Sequence, residues 1–89
     1  MEIIILDGRK MVSFDELHDY LRRVMRLPSY YGRNLDALAD CLSELGGHVT
    51  VILNYSDEMK AGLGVYGERV LRVFEAVSAD PGTFNFVIS

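Results

Sequence analysis

The sequence is poor in the residues that form covalent cross-links, metal sites and membrane spans. Its single cysteine, Cys41, excludes an internal disulfide and is typical of a reducing compartment. Two histidines and one cysteine are too few for a usual zinc site, and nothing else in the sequence indicates a cofactor. No apolar run approaches the roughly 18 residues of a membrane helix. The first residues lack a basic leader and a cleavage site, so we expect a cytoplasmic protein without a secretion signal.

The length and charge of the chain narrow the class of protein further. Its 89 residues are enough for one small domain, and no repeat or low-complexity tract divides them, so we expect a single domain over residues 1–89. Apolar residues make up 49% and charged residues 25%, which is typical of a globular protein. The formal net charge is −4. Because attraction to phosphate dominates nucleic-acid binding, an acidic domain is better suited to a basic protein partner.

Strand and helix patterns alternate along the chain. The predicted elements are a strand at Glu2–Asp7, a helix from Phe14 to before Pro28, a helix capped by Asn34 and running to about Leu45, a strand at His48–Asn54, a short helical turn at Ser56, a helix from about Tyr66 to Ala79 and a strand at Thr83–Ile88. The first strand is apolar throughout, which predicts burial on both faces. Ser13 and Glu16 have the spacing of a capping box. This order of elements predicts an α/β fold with a small parallel sheet.

The second predicted helix carries a charge pattern that folding does not explain. Its core face consists of four leucines at helical spacing: Leu35, Leu38, Leu42 and Leu45. Asp36, Asp40 and Glu44 follow each other at intervals of four residues, where like charges destabilise a helix by about 0.2–0.5 kcal/mol per pair. Only Asp36 gains from the helix N-terminus, and no basic residue is placed to pair with the three. Such a stripe is most often a solvent-exposed helix face. The other interpretation is that it binds a basic surface of another molecule.

The loop before this helix, residues 27–33, places two tyrosines beside a glycine. Tyr30 and Tyr31 precede Gly32, and aromatic side chains next to a charged helix are the usual composition of a protein-binding hot spot. The same pair could equally consist of one core residue and one lid. From the residues alone, a binding role and a structural role are about equally supported.

The segment from Leu27 to Leu42, Leu-Pro-Ser-Tyr-Tyr-Gly-Arg-Asn-Leu-Asp-Ala-Leu-Ala-Asp-Cys-Leu, closely resembles the central motif of barstar-like ribonuclease inhibitors. The likeness extends over nearly the whole chain, including residues 15–18, 70–74 and 87–89. It implies a three-stranded parallel sheet flanked by helices. It also implies tight one-to-one inhibition of a secreted barnase-like, guanyl-preferring ribonuclease inside the cell that makes the enzyme.

The resemblance further implies which residues contact the enzyme. Asp40 matches the family's central aspartate, which enters the phosphate pocket, and Asp36 matches the aspartate one turn earlier. Tyr30 matches the interface tyrosine, which packs on the catalytic histidine. The expected partner-binding residues are Tyr30, Gly32, Asn34, Leu35, Asp36, Ala39, Asp40, Glu44 and Asp80. We expect a monomer when free, with no direct binding to nucleic acid or membrane, and association accelerated by complementary charge.

The chain departs from the family pattern at several positions around this site. Ala39 and Leu45 stand where the type member has tryptophans. Ala76 stands where a glutamate is expected, and Glu75 lies about 100° away around the helix. Arg33 brings a positive charge into a loop expected to be acidic. The alternative is therefore a barstar-like module that binds a different basic protein, such as a toxin that is not a ribonuclease.

An enzyme is the remaining alternative. Cys41 with His18 or His48 would be a nucleophile and base. However, a cysteine among leucines in a helix is an ordinary core residue. The pair of Asp36 and Asp40 supplies too few oxygen ligands for a hard cation. We therefore expect no catalytic residues and no metal.

Overall fold

The chain forms three strands and four helices in a computed structural model that describes all 89 residues. In chain order they are β1 (Glu2–Asp7), a single 3₁₀ turn (Gly8–Lys10), α1 (Phe14–Val24), α2 (Leu35–Ser43), β2 (Val49–Asn54), α3 (Ser56–Leu63), α4 (Val65–Ser78) and β3 (Asn85–Ile88). The 3₁₀ turn was not predicted, and α3 is a helix of 8 residues where only a turn was expected. None of the helices is of a length and apolarity that would cross a membrane.

The strands form a parallel sheet in the order β1-β2-β3, with β2 at the centre. Val51 is paired with Ile4 on one side and with Phe86 on the other. The helices α1 and α2 connect β1 to β2, whereas α3 and α4 connect β2 to β3. The predicted α/β class, with a three-stranded parallel sheet flanked by helices, is therefore confirmed.

The prediction that β1 is buried on both faces is wrong. Ile4 and Leu6 are buried on the face that packs against the helices. Ile3 and Ile5 point to the opposite face, where Ile5 is 57% exposed, and Val87 of β3 is also exposed there. The helices thus cover one face of the sheet only. The usual polar alternation of a half-buried strand is missing because isoleucine occupies the exposed positions as well.

The core lies between the covered face of the sheet and α1, α2 and α4. Its most completely buried apolar side chains are Leu6, Met11, Leu17, Leu21, Leu38, Leu42, Val51, Leu53, Met59, Val70, Phe74 and Phe84. In α2, Leu38 and Leu42 are fully buried, while Leu35 and Leu45 near the helix ends are only partly buried. The predicted core stripe of α2 therefore has two full members and two marginal ones. Because α2 packs on α4 through this stripe, its opposite side faces solvent.

Polar side chains cap the first turns of α1 and α2. Ser13 Oγ accepts a hydrogen bond from the Glu16 amide at 3.3 Å, but the Glu16 side chain does not return one, so only half of the predicted capping box forms. Asn34 is the predicted N-cap of α2, and its Oδ1 accepts from the Ala37 amide at 2.7 Å. The Asn34 cap therefore fixes the start of α2 at Leu35, directly after the loop.

Candidate functional site

The acidic residues of α2 form an exposed row without partners. Asp36 lies in the first helical turn, Asp40 one turn later, and Glu44 at the C-cap, and all three are exposed. Four residues of helix rise about 6 Å, so the row extends over about 12 Å. The ion pairs of the chain, Arg9–Asp7, Arg33–Asp15, Arg33–Asp19 and Lys60–Asp57, include none of the three. The carboxylates of α2 are thus free to meet cations of another molecule.

The electrostatics of α2 do not explain this row. A carboxylate in the first turn is favoured by the partial positive charge of the helix N-terminus, which applies to Asp36. Glu44 lies at the opposite end, where the carbonyl groups repel a negative charge, and the last turn contains no basic residue. The row is therefore slightly unfavourable for the isolated chain, and its neutralisation would have to come from outside.

The two tyrosines of the preceding loop have opposite environments. Tyr30 is 85% exposed, whereas Tyr31 is only 7% exposed. The Tyr31 hydroxyl lies 2.7 Å from Nδ1 of His18 in α1, and the Tyr31 amide donates to the Pro28 carbonyl at 3.0 Å. Tyr31 is therefore a core residue, as the structural alternative expects, whereas Tyr30 is exposed and is not the lid that this alternative expects. Burial of Tyr31 leaves the neighbouring ring of Tyr30 projecting into solvent.

His18 connects the loop to two helices. Its ring is fully buried, with Nε2 lying 2.8 Å from the Tyr66 hydroxyl of α4 and the Phe14 ring packed edge-on at 4.7 Å between centroids. Burial, and secondly the charge of Arg33, lower the pKa of His18 below its ordinary value. In a neutral imidazole one nitrogen donates and the other accepts, so one tyrosine accepts a hydrogen bond and the other donates one. Burial also raises the pKa of the Tyr31 and Tyr66 hydroxyls, which keeps both protonated.

A side chain at position 32 would be crowded by the way Asn34 folds back on the loop. The Asn34 side chain caps α2 through Oδ1 and also donates from Nδ2 to the Gly32 carbonyl at 3.2 Å. A Cβ atom at Gly32 would lie 3.2 Å from that same Nδ2 and 3.3 Å from Cβ of Ala37. Such contacts are tighter than ordinary carbon packing. A glycine here lets the loop backbone approach the start of α2 closely.

Arg33 is bound within the molecule rather than exposed as a free charge. Its guanidinium donates to Asp15 Oδ1 at 3.1 Å and also to Asp19 Oδ1, both in α1. These contacts, the Asp19 hydrogen bond first, raise the pKa of Arg33. The sequence alone does not predict this cluster. The signal that could have indicated it is the spacing of Asp15 and Asp19, four residues apart on one helix face, with a lone arginine in the next loop.

Asp80 lies on a turn apart from the α2 row. The turn follows α4, and Asp80 is exposed there, as are Glu75 and Ala76 in the last turns of α4. The same turn lies beside the end of α2, because a Cβ atom at Gly47 would come within 3.7 Å of the Gly82 carbonyl oxygen. Contacts among Gly32, Asn34 and Ala37 thus join the loop to the start of α2, and Tyr30 precedes them in the same loop. Asp80 lies beyond the other end of that helix.

The candidate cysteine and histidines do not form a catalytic arrangement. Both ring nitrogens of His18 are occupied by tyrosine hydroxyls. Burial raises the pKa of Cys41, and the nearby Glu44 and Asp40 raise it further, so the thiol stays protonated. His48 is exposed just before β2. No group of three or more histidine, cysteine, aspartate or glutamate side chains is arranged to hold a metal ion.

Comparison with known proteins places this fold and loop in a family. The family model described as Barstar (barnase inhibitor) matches residues 1–88. The chain is 41% identical over 76 residues, 84% of each chain, to the Bacillus subtilis (strain 168) protein named "Putative ribonuclease inhibitor YrdF". The match includes the loop and helix that carry the exposed tyrosine and the acidic row, and the chain belongs to the barstar family.

Proposed function

We propose that this protein inhibits a secreted barnase-like, guanyl-preferring ribonuclease in a one-to-one complex, within the cytoplasm of the cell that makes the enzyme. It acts by binding, without catalysis. The observation that carries the proposal is the row of unpaired carboxylates on α2, Asp36, Asp40 and Glu44, together with the exposed ring of Tyr30 in the preceding loop. Membership of the barstar family and the name of the Bacillus subtilis relative support the same function.

The charge of the row is what a ribonuclease active site attracts. An enzyme that cleaves a phosphodiester gathers cationic side chains to hold the phosphate and stabilise its transition state. Asp40, at the centre of the row, takes the place of a phosphate in that pocket, and Asp36 contacts the adjacent basic surface. Because neither carboxylate has an internal ion pair, binding does not require one to be broken. Complementary charge also raises the association rate.

Tyr30 supplies the apolar part of the contact. A tyrosine ring offers a large contact area with few rotatable bonds, so ordering it on binding costs little conformational entropy. Its backbone is restrained on one side by the buried Tyr31 and its hydrogen bond to His18. We propose that the Tyr30 ring packs on the catalytic histidine of the enzyme.

The complete proposed contact surface extends beyond these residues. It consists of Tyr30, Gly32, Asn34, Leu35, Asp36, Ala39, Asp40, Glu44 and Asp80. Ala39 is half-buried and has a methyl group where the type member has an indole, so this part of the surface makes a smaller apolar contact. We infer that the cognate enzyme has a correspondingly fuller surface opposite Ala39.

A titration against a panel of guanyl-preferring microbial ribonucleases tests the function. RNA cleavage is measured with increasing inhibitor at low and moderate salt. We expect stoichiometric loss of activity against at least one enzyme, with weaker inhibition as salt rises, because salt screens the attraction of exposed charges. If a folded sample inhibits no enzyme of the panel, the proposal is wrong and a different basic protein becomes the partner to seek.

A further inference from the structure

Arg33 is the last residue of the loop before α2, residues 27–33, which we call the binding loop, and it lies between Gly32 and the N-cap Asn34. Its backbone is in the left-handed region, with φ of 54°, which is unfavourable for any residue with a Cβ atom. Its side chain is only 38% exposed and reaches back to α1. An unpaired arginine here would repel a basic enzyme. The loop can therefore contact such an enzyme without repulsion only if the charge of Arg33 is neutralised within the protein.

The charge of Arg33 is neutralised by two carboxylates of one helix face. One guanidinium nitrogen donates to Asp19 and another to Asp15, and neither aspartate has any other ion-pair partner. Without Arg33, Asp15 and Asp19 would be like charges four residues apart, which is unfavourable in a helix. The ion pairs of Arg33 therefore relieve the repulsion between the two aspartates of α1 and attach the loop to that helix.

A second anchor attaches the same loop to the same helix. His18 lies between Asp15 and Asp19 in α1 and binds the Tyr31 hydroxyl inside the core. Tyr31 and Arg33, on the two sides of Gly32, are thus both fastened to α1, one inside and one at the surface. The short segment between these anchors includes the glycine that lets Asn34 fold back, and Tyr30 directly precedes it.

We propose that Arg33 is a positioning residue, which holds the binding loop in its binding conformation through Asp15 and Asp19 and does not itself contact the partner. This inference rests on the proposed function as far as binding is concerned, but the anchoring of the loop exists in the free protein. The anchor supplies preorganisation, because a loop that is already ordered loses less conformational entropy on binding.

The first measurement concerns the free protein and needs no partner. Amide hydrogen exchange is compared between the wild-type protein and Arg33→Gln at Tyr31 and Ala37, whose amides bond within the loop and to the Asn34 cap. Two exposed ion pairs correspond to an effect of roughly threefold to tenfold, so exchange at these two amides should accelerate by about that factor. The amides of β2 should not change. Unchanged exchange at Tyr31 and Ala37 would overturn the proposal.

The second measurement is a double-mutant cycle on binding to the ribonuclease that the panel identifies. Arg33→Gln should accelerate dissociation by roughly threefold to tenfold, while association should not slow, because a positive charge near a basic enzyme has been removed. In the background Asp15→Asn/Asp19→Asn, the same substitution should have little further effect on dissociation. An undiminished effect in that background would show that Arg33 contacts the partner directly. Arg33→Lys keeps the charge but cannot donate to both aspartates through two separate nitrogens, so its dissociation rate should lie between those of the wild-type protein and Arg33→Gln.

The two measurements separate this inference from the proposed function. If the wild-type protein inhibits no ribonuclease but loop exchange responds to Arg33→Gln, the proposed function fails and the anchor stands. If the protein inhibits and neither exchange nor dissociation responds, the anchor fails and the proposed function stands.

Discussion

Replacement of Tyr31 by phenylalanine isolates the hydrogen bond that joins the loop before α2 to His18. The Tyr31 hydroxyl lies 2.7 Å from Nδ1 of the fully buried His18, and no other group is bonded to that nitrogen. Tyr31→Phe leaves it unpaired inside the core, which costs about 1–3 kcal/mol. Folded proteins are stable by only about 5–15 kcal/mol, so the loss is a large fraction of the total.

Urea unfolding followed by circular dichroism measures this effect, and Tyr30→Phe is the matched control. With a slope of about 1–3 kcal/mol per M for small proteins, a loss of 2 kcal/mol lowers the midpoint by roughly 1 M. Tyr30 is 85% exposed and its hydroxyl has no hydrogen-bond partner in the chain, so Tyr30→Phe should leave the midpoint nearly unchanged. Equal midpoints for the two variants, or a larger loss for Tyr30→Phe, would refute the assignment of one buried and one exposed tyrosine.

Three further predictions concern the remainder of the fold. Folding lowers the pKa of His18, so the unfolded chain binds the proton first as pH falls below about 6.5. The contribution of His18 to stability is therefore fully present above that pH and declines as pH falls toward the folded-state pKa. This decline should be absent in His18→Gln when urea unfolding is measured from pH 7.5 to 5.5. Leu6→Ala should reduce the free energy of unfolding by about 2–5 kcal/mol and Ile5→Ala, on the open face of the sheet, by less than about 1 kcal/mol; equal losses in denaturant titrations would contradict the one-sided burial of β1. Asn34→Ala should reduce stability by about 1 kcal/mol through loss of the α2 cap, and an unchanged melting temperature would show that the cap contributes nothing.

The parts of the fold that depend on local patterns could be predicted from the sequence. Asn34 was identified as the cap of α2 because its short amide side chain satisfies a free backbone amide at the point where the leucine spacing begins. The parallel sheet followed from the alternation of strands and helices. The burial of β1 could not be predicted, because Ile3 and Ile5 have the same composition as buried strand residues. Burial of a sheet face depends on whether helices pack against it, and the apolar composition of one strand does not predict on which face the helices pack.

The candidate site shows the same division between local and distant interactions. The acidic row of Asp36, Asp40 and Glu44 is visible in the sequence because it depends only on helical spacing. The contacts of Arg33 with α1 depend on the path of a loop. The hydrogen bonds of His18 join it to Tyr31, 13 positions later in the chain, and to Tyr66, 48 positions later. Such pairings are set by tertiary packing, so the sequence showed Arg33 only as an unexplained charge.

The central claim is that the unpaired carboxylates of α2 inhibit a ribonuclease, and Asp40→Asn tests it most directly. The control is Asp57→Asn, the same change at an exposed aspartate of α3, a helix that packs on α4 and the 3₁₀ turn. Both variants are titrated against a ribonuclease that the wild-type protein inhibits, with circular dichroism to verify folding. Removal of one member of a buried charge pair costs about 2–5 kcal/mol, so Asp40→Asn should weaken inhibition by roughly 30-fold or more, and Asp57→Asn should leave it nearly unchanged. Equal inhibition by two folded variants would contradict the account and place the inhibitory surface elsewhere on the molecule.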